Sequence, residues 1–277
     1  MGGIIWLASY PKSGNTWLRA FLHNLLRDPD RPMPINELDK FCLGDSQASW
    51  YVHVSGGRSP AELSKPEVAQ LRPQVHAAFT KAHPDSVFAK THNLLGESFG
   101  VPLVSMQHTV GAIYVVRNPL DVVLSLADHF GIGIDEAIAF MANPEAGTEN
   151  DAVNAYEHYG TWSQHVASWT REETPGLTWV RYEDMLDKPQ KTFGEVARFL
   201  GLQPPRQRLA KAIKFSSFKV LRQQEDRSGF RERSAHSEHF FRVGRAGQWR
   251  RQLTAEQVDA VVATQREQME RFGYLPD

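Results

Sequence analysis

The chain has 277 residues, 41% of them hydrophobic, and a formal net charge of -1. That is enough apolar material for a substantial core in one large α/β domain rather than two. The near-neutral charge excludes a surface built to coat nucleic acid or an anionic membrane. The single cysteine, Cys42, excludes an intrachain disulfide, fits a reducing compartment, and reads as a small core or loop residue rather than a nucleophile. No apolar run approaches the roughly 18 residues of a membrane span. The opening MGGIIWLASY lacks the charge and length of a secretion signal, and Trp6 departs from a myristoylation pattern, so a soluble, cytoplasmic protein is expected.

In chain order, Gly3 to Ser9 reads as a short buried strand ended by turn residues. From Thr16 onward Trp17, Leu18, Phe21, Leu22, Leu25 and Leu26 recur at helical spacing until RDPDRP stops them. Residues 28–60 lack periodicity and read as a long functional loop. LSKPEVAQLRPQVHAAFTKAH is a helix capped by Ser64, SVFAKTH a short strand, and GAIYVVRNP a stronger one. NPLDVVLSLADHF starts a helix with Asn118 as cap and Pro119 at the first position. DAVNAYEHYGTWSQHVASWT follows as one long amphipathic helix, GLTWVRYEDM as a strand, and KPQKTFGEVARFLGL as a helix closed by Gly201. The tail, Thr254 to Phe272, is helical.

Strands separated by helices predict one α/β domain over 1–277, with a central parallel β-sheet flanked by helices on both faces. Residues 222–251 carry eight arginines against four acidic residues with little apolar periodicity, so a solvated face and an anion-binding lid are both open there.

Ligands of an open α/β sheet sit beyond the carboxyl ends of its strands, which is where the loop Tyr10 to Asn15 falls. Gly14 allows close backbone approach, and the amides of Ser13 to Trp17 lie where a helix N-terminus attracts an anion. Lys12 adds a full charge, and the Ser13 and Thr16 hydroxyls add donors. A strand, phosphate loop and helix of this kind relates the fold to nucleotide kinases. A kinase loop, however, is G-x-x-x-x-G-K-[ST], with its lysine after the glycine, whereas Lys12 precedes Gly14.

YPKSGNTWLR resembles the 5'-phosphosulfate loop of the PAPS-dependent sulfotransferases, Y-P-K-[ST]-G-[ST]-T-W. Further matches fall in that family's order. FAKTHNLL resembles its K-x-H segment, and YVVRNPLDVVLSL its 3'-phosphate strand and helix, with Arg117 and Ser125 eight residues apart. TWSQHVASW, VRYEDMLDKPQKTFGEVARFLGL, SSFKVL and RVGRAGQWRRQLT are similar to its later motifs, so the resemblance spans nearly the whole chain.

The resemblance implies 3'-phosphoadenosine 5'-phosphosulfate (PAPS) as co-substrate, PAP as product, and transfer of the sulfuryl group to a hydroxyl or amine of a small-molecule acceptor. A sulfonate carries less charge than a terminal phosphate, so no metal is demanded, and the chain shows no metal-ligand spacing. Lys12 would neutralise the departing oxygen. His92 would be the general base, with an ordinary imidazole pKa of ~6.5 predicting loss of rate below about pH 6. Lys90 shares a strand face with His92 and would bring a second cation; Ser125 would contact Lys12 and restrain it.

The cofactor-binding set implied is Lys12, Ser13, Gly14, Asn15, Thr16, Trp17, Arg117, Ser125, Tyr182, Ser217, Phe218, Arg242, Val243 and Gly244. Within it, Trp17 and Phe218 would face the adenine and Tyr182 hydrogen-bond it. Several positions depart from the pattern. Asn15 replaces a small hydroxyl residue but still offers a donor, and Val243 replaces a lysine, leaving Arg245 to offset it. Gln248 stands for an aspartate, and RRQLTAEQVD only partly matches the family's dimerisation pattern. Two rival readings are a nucleotide-dependent kinase, which would need Mg²⁺, and a non-catalytic PAP or PAPS binder, which would need no base. Residues 222–241 read as a mobile lid and acceptor loop. Trp50, Tyr51, Phe130, Phe140, Phe230 and Phe240 are candidates for an apolar or aromatic acceptor pocket, with core packing the equal alternative for each.

Overall fold

A computed structural model describes residues 2–83, 85–172 and 174–276. Strand β1 (Ile4–Ser9) passes through a tight loop into α1 (Asn15–Arg27). Next come α2 (Leu38–Phe41), the short β2 (Leu43–Gly44), α3 (Ala48–Val54) and α4 (Lys65–Ala82). Strand β3 (Val87–Thr91), a hairpin of β4 (Glu97–Ser98) and β5 (Val101–Pro102), and β6 (Thr109–Val116) follow. Helices α5 (Pro119–Phe130), α6 (Ile134–Ala142) and α7 (Trp162–Thr170) lead to β7 (Leu177–Arg181). The remaining elements are helices, with irregular chain between the fourth and fifth: α8 (Tyr182–Asp187), α9 (Pro189–Phe199), α10 (Arg206–Phe215), α11 (Phe218–Ser228), α12 (Trp249–Gln252) and α13 (Ala255–Arg271). Among the described residues no helix is long and apolar enough to cross a membrane.

The expected α/β architecture is present. Five strands form one sheet in the order β2-β3-β1-β6-β7, and every pairing in it is parallel. The strand period of two sends alternate residues to opposite helical layers. Trp6, Ala8, Ala112 and Tyr114 join a core with α4, α5, α7 and α13, while Leu7, Ile113, Val115 and Val180 pack with α1, α9 and α10. A central strand buried on both faces must be apolar throughout, which is why Ile4-Ile5-Trp6-Leu7-Ala8 shows no alternation.

Local chemistry starts and stops the helices as the sequence suggests. Ser64 forms a capping box with Glu67, and the Asn118 side chain accepts from the Leu120 amide ahead of α5. Two expectations fail. The helix expected over 151–170 begins only at Trp162, because Thr161 caps it and Gly160 before it has φ +63°. Upstream, the Asn150 and Asp151 side chains accept from the amides of Tyr156, Val153 and Asn154, taking donors a helix would have used. The expected loop over 28–60 instead holds α2, β2 and α3, because β2 pairs with β3 and Tyr51 of α3 is fully buried. Cys42 is buried as expected of a small core residue, and burial pushes its thiol up to about 12.

The arginine-rich stretch begins within α11 and continues as irregular chain up to α12. Buried Asp121 of α5 ties its far end down, accepting from the amides of Gly247 at 2.6 Å and Trp249 at 3.1 Å. Asp121→Ala strands both amides, and stability measured by urea unfolding should fall by about 1–3 kcal/mol. An unchanged midpoint would show that this segment does not depend on that carboxylate.

Candidate active site

Parallel pairing brings the carboxyl ends of all five strands to one rim. Strand β1 delivers the loop with Lys12 and Gly14, β3 delivers His92, β6 delivers Arg117 and β7 delivers Tyr182. All of these residues line a single cavity of about 490 Å³. Asn15, Thr16, Trp17, Lys90, Ser125, Phe218, Arg242, Val243 and Gly244 line it as well. Ser13 and Ser217 do not: Ser13 is buried beneath the loop, and Ser217 caps α11 through its backbone.

The loop requires glycine where it has one. Gly14 has φ +109°, and a Cβ there would lie 2.7 Å from Tyr182 Cδ2. Lys12 also takes a left-handed conformation, with φ +66°. Its Nζ sits 4.2 Å from the centre of the Phe240 ring and 3.4 Å from His129 Nδ1. The expected contact with Ser125 is thus replaced by one with His129, a helical turn later on α5. Burial, together with Lys90, Arg242 and Arg117, pulls the Lys12 pKa down to about 8 against the opposing charge of Asp128.

His92 is tied at three points. Its Nδ1 lies 2.8 Å from the Ser9 carbonyl, its amide donates to Glu157 at 3.1 Å, and its carbonyl accepts from His165 Nε2 at 3.0 Å. A carbonyl only accepts, so Nδ1 carries the proton and Nε2 keeps its lone pair. Burial and the neighbouring Lys90 hold the imidazole pKa well below 6.5, which keeps the ring neutral.

The nucleotide side holds further unused donors. Arg117 donates to the Lys12 carbonyl at 2.9 Å and lies 4.4 Å over the Tyr182 ring, yet its buried Nε finds no partner among the described residues. Trp17 Nε1 is likewise buried and unpartnered there. Trp17 meets Tyr182 edge-on at 5.6 Å. Gly244, with φ +62°, lies against the Phe218 ring so closely that a Cβ would come within 2.3 Å. Arg242 is held by Asp128 at 3.2 Å and by the Leu124 carbonyl. Unspent donors, clustered cations and aromatic rings suit a phosphorylated nucleotide; Arg117 and Arg242 offer the forks for a phosphate and the loop the amides for a second.

Contacts within the protein engage two of the loop side chains, and Arg245 stands apart from the cavity. The Asn15 amide donates to the Leu7 carbonyl at 2.7 Å, which fastens the loop to β1. Thr16 Oγ1 accepts from Arg19, which is bound in turn by both oxygens of Glu232 from the lid segment. Arg245 is exposed and outside the cavity lining, so it does not replace the lysine missing at Val243.

The aromatic candidates divide between core and cavity. Trp50, Tyr51 and Phe140 pack into the main core and Phe230 into a smaller one, leaving Phe130 and Phe240 as the two candidates that line the cavity. Polar groups line the same cavity, namely Ser46, Thr148, Asn154, Glu149, Asp151, Glu157 and Glu232, together with Val153, Tyr159, Leu221 and Phe241. Sequence reasoning missed Glu157, Glu232 and His129. His129 alone had a readable signal, lying four residues after Ser125 on one helix face.

Comparison with known proteins places this geometry in context. A family model described as "Sulfotransferase domain" matches residues 4–273. Sulfotransferase 1B1 of Mus musculus is 28% identical over 276 residues, covering 94% of this chain and 81% of that protein. A mouse sulfotransferase solved in complex with PAP superposes with a TM-score of 0.62 at 21% identity, over 96% of this chain and 84% of that one. Retinol dehydratase, solved with retinol and PAP, gives a TM-score of 0.65 at 17% identity, over 96% and 81%. At such identities the structural likeness speaks for the fold.

The electrostatics of the loop can be tested directly. In reductively ¹³C-methylated protein one lysine signal, absent from Lys12→Arg, should titrate near pH 8, about two units below a solvent lysine at ~10.4. A value above 10 would remove the case for a desolvated, cation-crowded Lys12.

Proposed function

The chain belongs to the sulfotransferase family and is a PAPS-dependent enzyme, and from this we propose that His92 and Lys12 together transfer the sulfuryl group to a small polar acceptor. One observation carries the reading: His92 Nδ1 is spent on the Ser9 carbonyl, so a neutral Nε2 lone pair remains in the same cavity as Lys12, Lys90 and Arg117. PAPS supplies the activated sulfuryl group. The protein holds it through the loop amides and Lys12 at the 5' end, Arg117, Ser125 and Arg242 at the 3'-phosphate, and Trp17, Tyr182 and Phe218 around the base. His92 takes the acceptor's proton, and Lys12 and Lys90 offset negative charge as it develops on the leaving oxygen. The segment 222–241 serves as the lid, closed by Glu232 on Arg19 and folded on itself by Glu225, which accepts from the amides of Phe240 and Phe241.

The polar lining supports an acceptor rich in hydroxyls or amines rather than a flat hydrocarbon. Buried Glu157, whose carboxyl pKa is raised by burial, accepts from the Tyr159 hydroxyl and sits beside His92. With ³⁵S-labelled PAPS, polyols, amino alcohols and sugars should be sulfated faster than unsubstituted phenols. A clear preference for apolar phenols would overturn this acceptor class.

His92→Ala should lower turnover on an ordinary alcohol by roughly 10²–10⁴-fold while leaving PAP affinity intact. Wild-type turnover in that variant would reject His92 as base. Because the folded imidazole pKa is depressed, protonation sets in at lower pH than for a free histidine. The acid limb of the rate profile should therefore fall well below pH 6.5, more acidic than an unperturbed residue implies. Arg117→Ala should weaken PAP binding by about 10- to 100-fold by calorimetry, the loss of one charge-assisted contact. Unchanged affinity in the folded variant would put the 3'-phosphate elsewhere.

A further inference from the structure

Asp45 is the residue that follows β2, and its carboxylate is fully buried without facing the cavity. It gathers an unusual set of partners. Oδ1 accepts from His76 Nε2 at 2.8 Å; Oδ2 accepts from Thr91 Oγ1 at 2.9 Å, Asn93 Nδ2 at 2.8 Å and Arg72 Nη1 at 3.3 Å. Its own amide donates to the Lys90 carbonyl at 3.0 Å. One residue thus grips positions 90, 91 and 93, the three that surround His92 in sequence.

The grip answers a local need. Strand β3 ends at Thr91, so beyond it the chain has no ladder hydrogen bonds to fix its path. His76 and Arg72, a turn apart on α4, anchor the carboxylate from behind, and His76 Nδ1 lies 2.9 Å from Ser105 Oγ. Asn93 passes the restraint on, accepting from the His158 amide at 2.7 Å and, through its carbonyl, from Trp169 Nε1 at 3.0 Å.

We propose that Asp45 is a positioning residue for His92, holding the 90–93 turn so that the ring meets the Ser9 carbonyl and presents Nε2 to the acceptor. This rests on His92 being the general base. Burial alone would raise the Asp45 carboxyl, but Arg72, His76 and Thr91 hold it down to about 2, so it stays ionised and accepting across the working range. The two-residue strand β2 has the same logic: it is long enough to set Asp45 against the end of β3 and no longer. Displacing a base by even 1 Å is enough to cost up to about a hundredfold in rate.

The test is a mutant cycle with two acceptors. Asp45→Asn leaves Arg72 buried without its charge partner and is at risk of not folding. Thr91→Val removes one bond to Asp45 and keeps the ion pair, and Thr91→Ser restores the hydroxyl. Each of Asp45→Asn and Thr91→Val should cut turnover on an ordinary alcohol by roughly ten- to a hundredfold with PAP affinity within about twofold of wild type. The defect should shrink with a very acidic phenol, which arrives ionised, and Thr91→Ser should recover the rate. In a His92→Ala background neither substitution should lower the rate further. Equal defects on both acceptors, or losses that add to that of His92→Ala, would make Asp45 a stability residue and overturn the proposal while the base stands. Wild-type turnover in His92→Ala alone would reject the base and this proposal with it.

Discussion

The site depends on a single constraint, the parallel pairing of β1 between β3 and β6. Parallel strands end on the same side, and crossover helices return each chain segment to the opposite side before the next strand starts. Lys12, His92, Arg117 and Tyr182 are therefore delivered to one rim, although residues 12 and 182 are far apart in sequence. An antiparallel neighbour would have sent one of these groups to the far end of the sheet. The Asn15 amide reinforces the arrangement by bonding back to Leu7 within β1, which fastens the loop to the strand that places it.

Crowding cations into a partly desolvated cavity costs the empty protein free energy. The lowered pKa of Lys12 records that cost, since burial and three neighbouring cations all disfavour its charge. An anionic ligand reverses the sign of the interaction, so the strain stored in the empty site becomes affinity when it is filled. His92 follows the opposite logic. The same neighbourhood that makes Lys12 eager for an anion keeps the imidazole neutral, which is the state a base must have. One electrostatic environment thus suits both residues for the opposite tasks proposed for them.

Carboxylates organise the rest. Asp121, Asp128 and Glu232 each tie part of the arginine-rich segment to the body of the protein, and Glu225 ties that segment to itself. Asp45 holds the turn around His92. Buried or half-buried acidic groups with several donors apiece are rigid clamps, because leaving any one donor unpaired is expensive. The near-neutral overall charge of the chain hides this internal pairing of acids with the cations that serve the ligand.

The main strands, the parallel sheet and the part of the cavity lining that stands at the strand ends were legible in the sequence. Hydrophobic period, caps and glycine are local properties, and the ordered motifs around Lys12, His92 and Arg117 lie next to the strand ends that carry them. Contacts between distant segments were not legible. Nothing near Asn15 in sequence says that its amide turns to Leu7, nor does position 129 announce that its ring meets Lys12. The apolar residues of 151–161 have a helical spacing, yet tertiary packing buries Tyr156 and Tyr159 in irregular chain while Asn150 and Asp151 take the amides. Asp45 sits in a stretch without periodicity, and its significance exists only where β2, β3 and α4 converge. Sequence determined which groups stand at the ends of strands, because that depends on neighbours along the chain. Tertiary structure decided which of them point into the cavity, because hydrogen bonds across the fold compete for the same side chains.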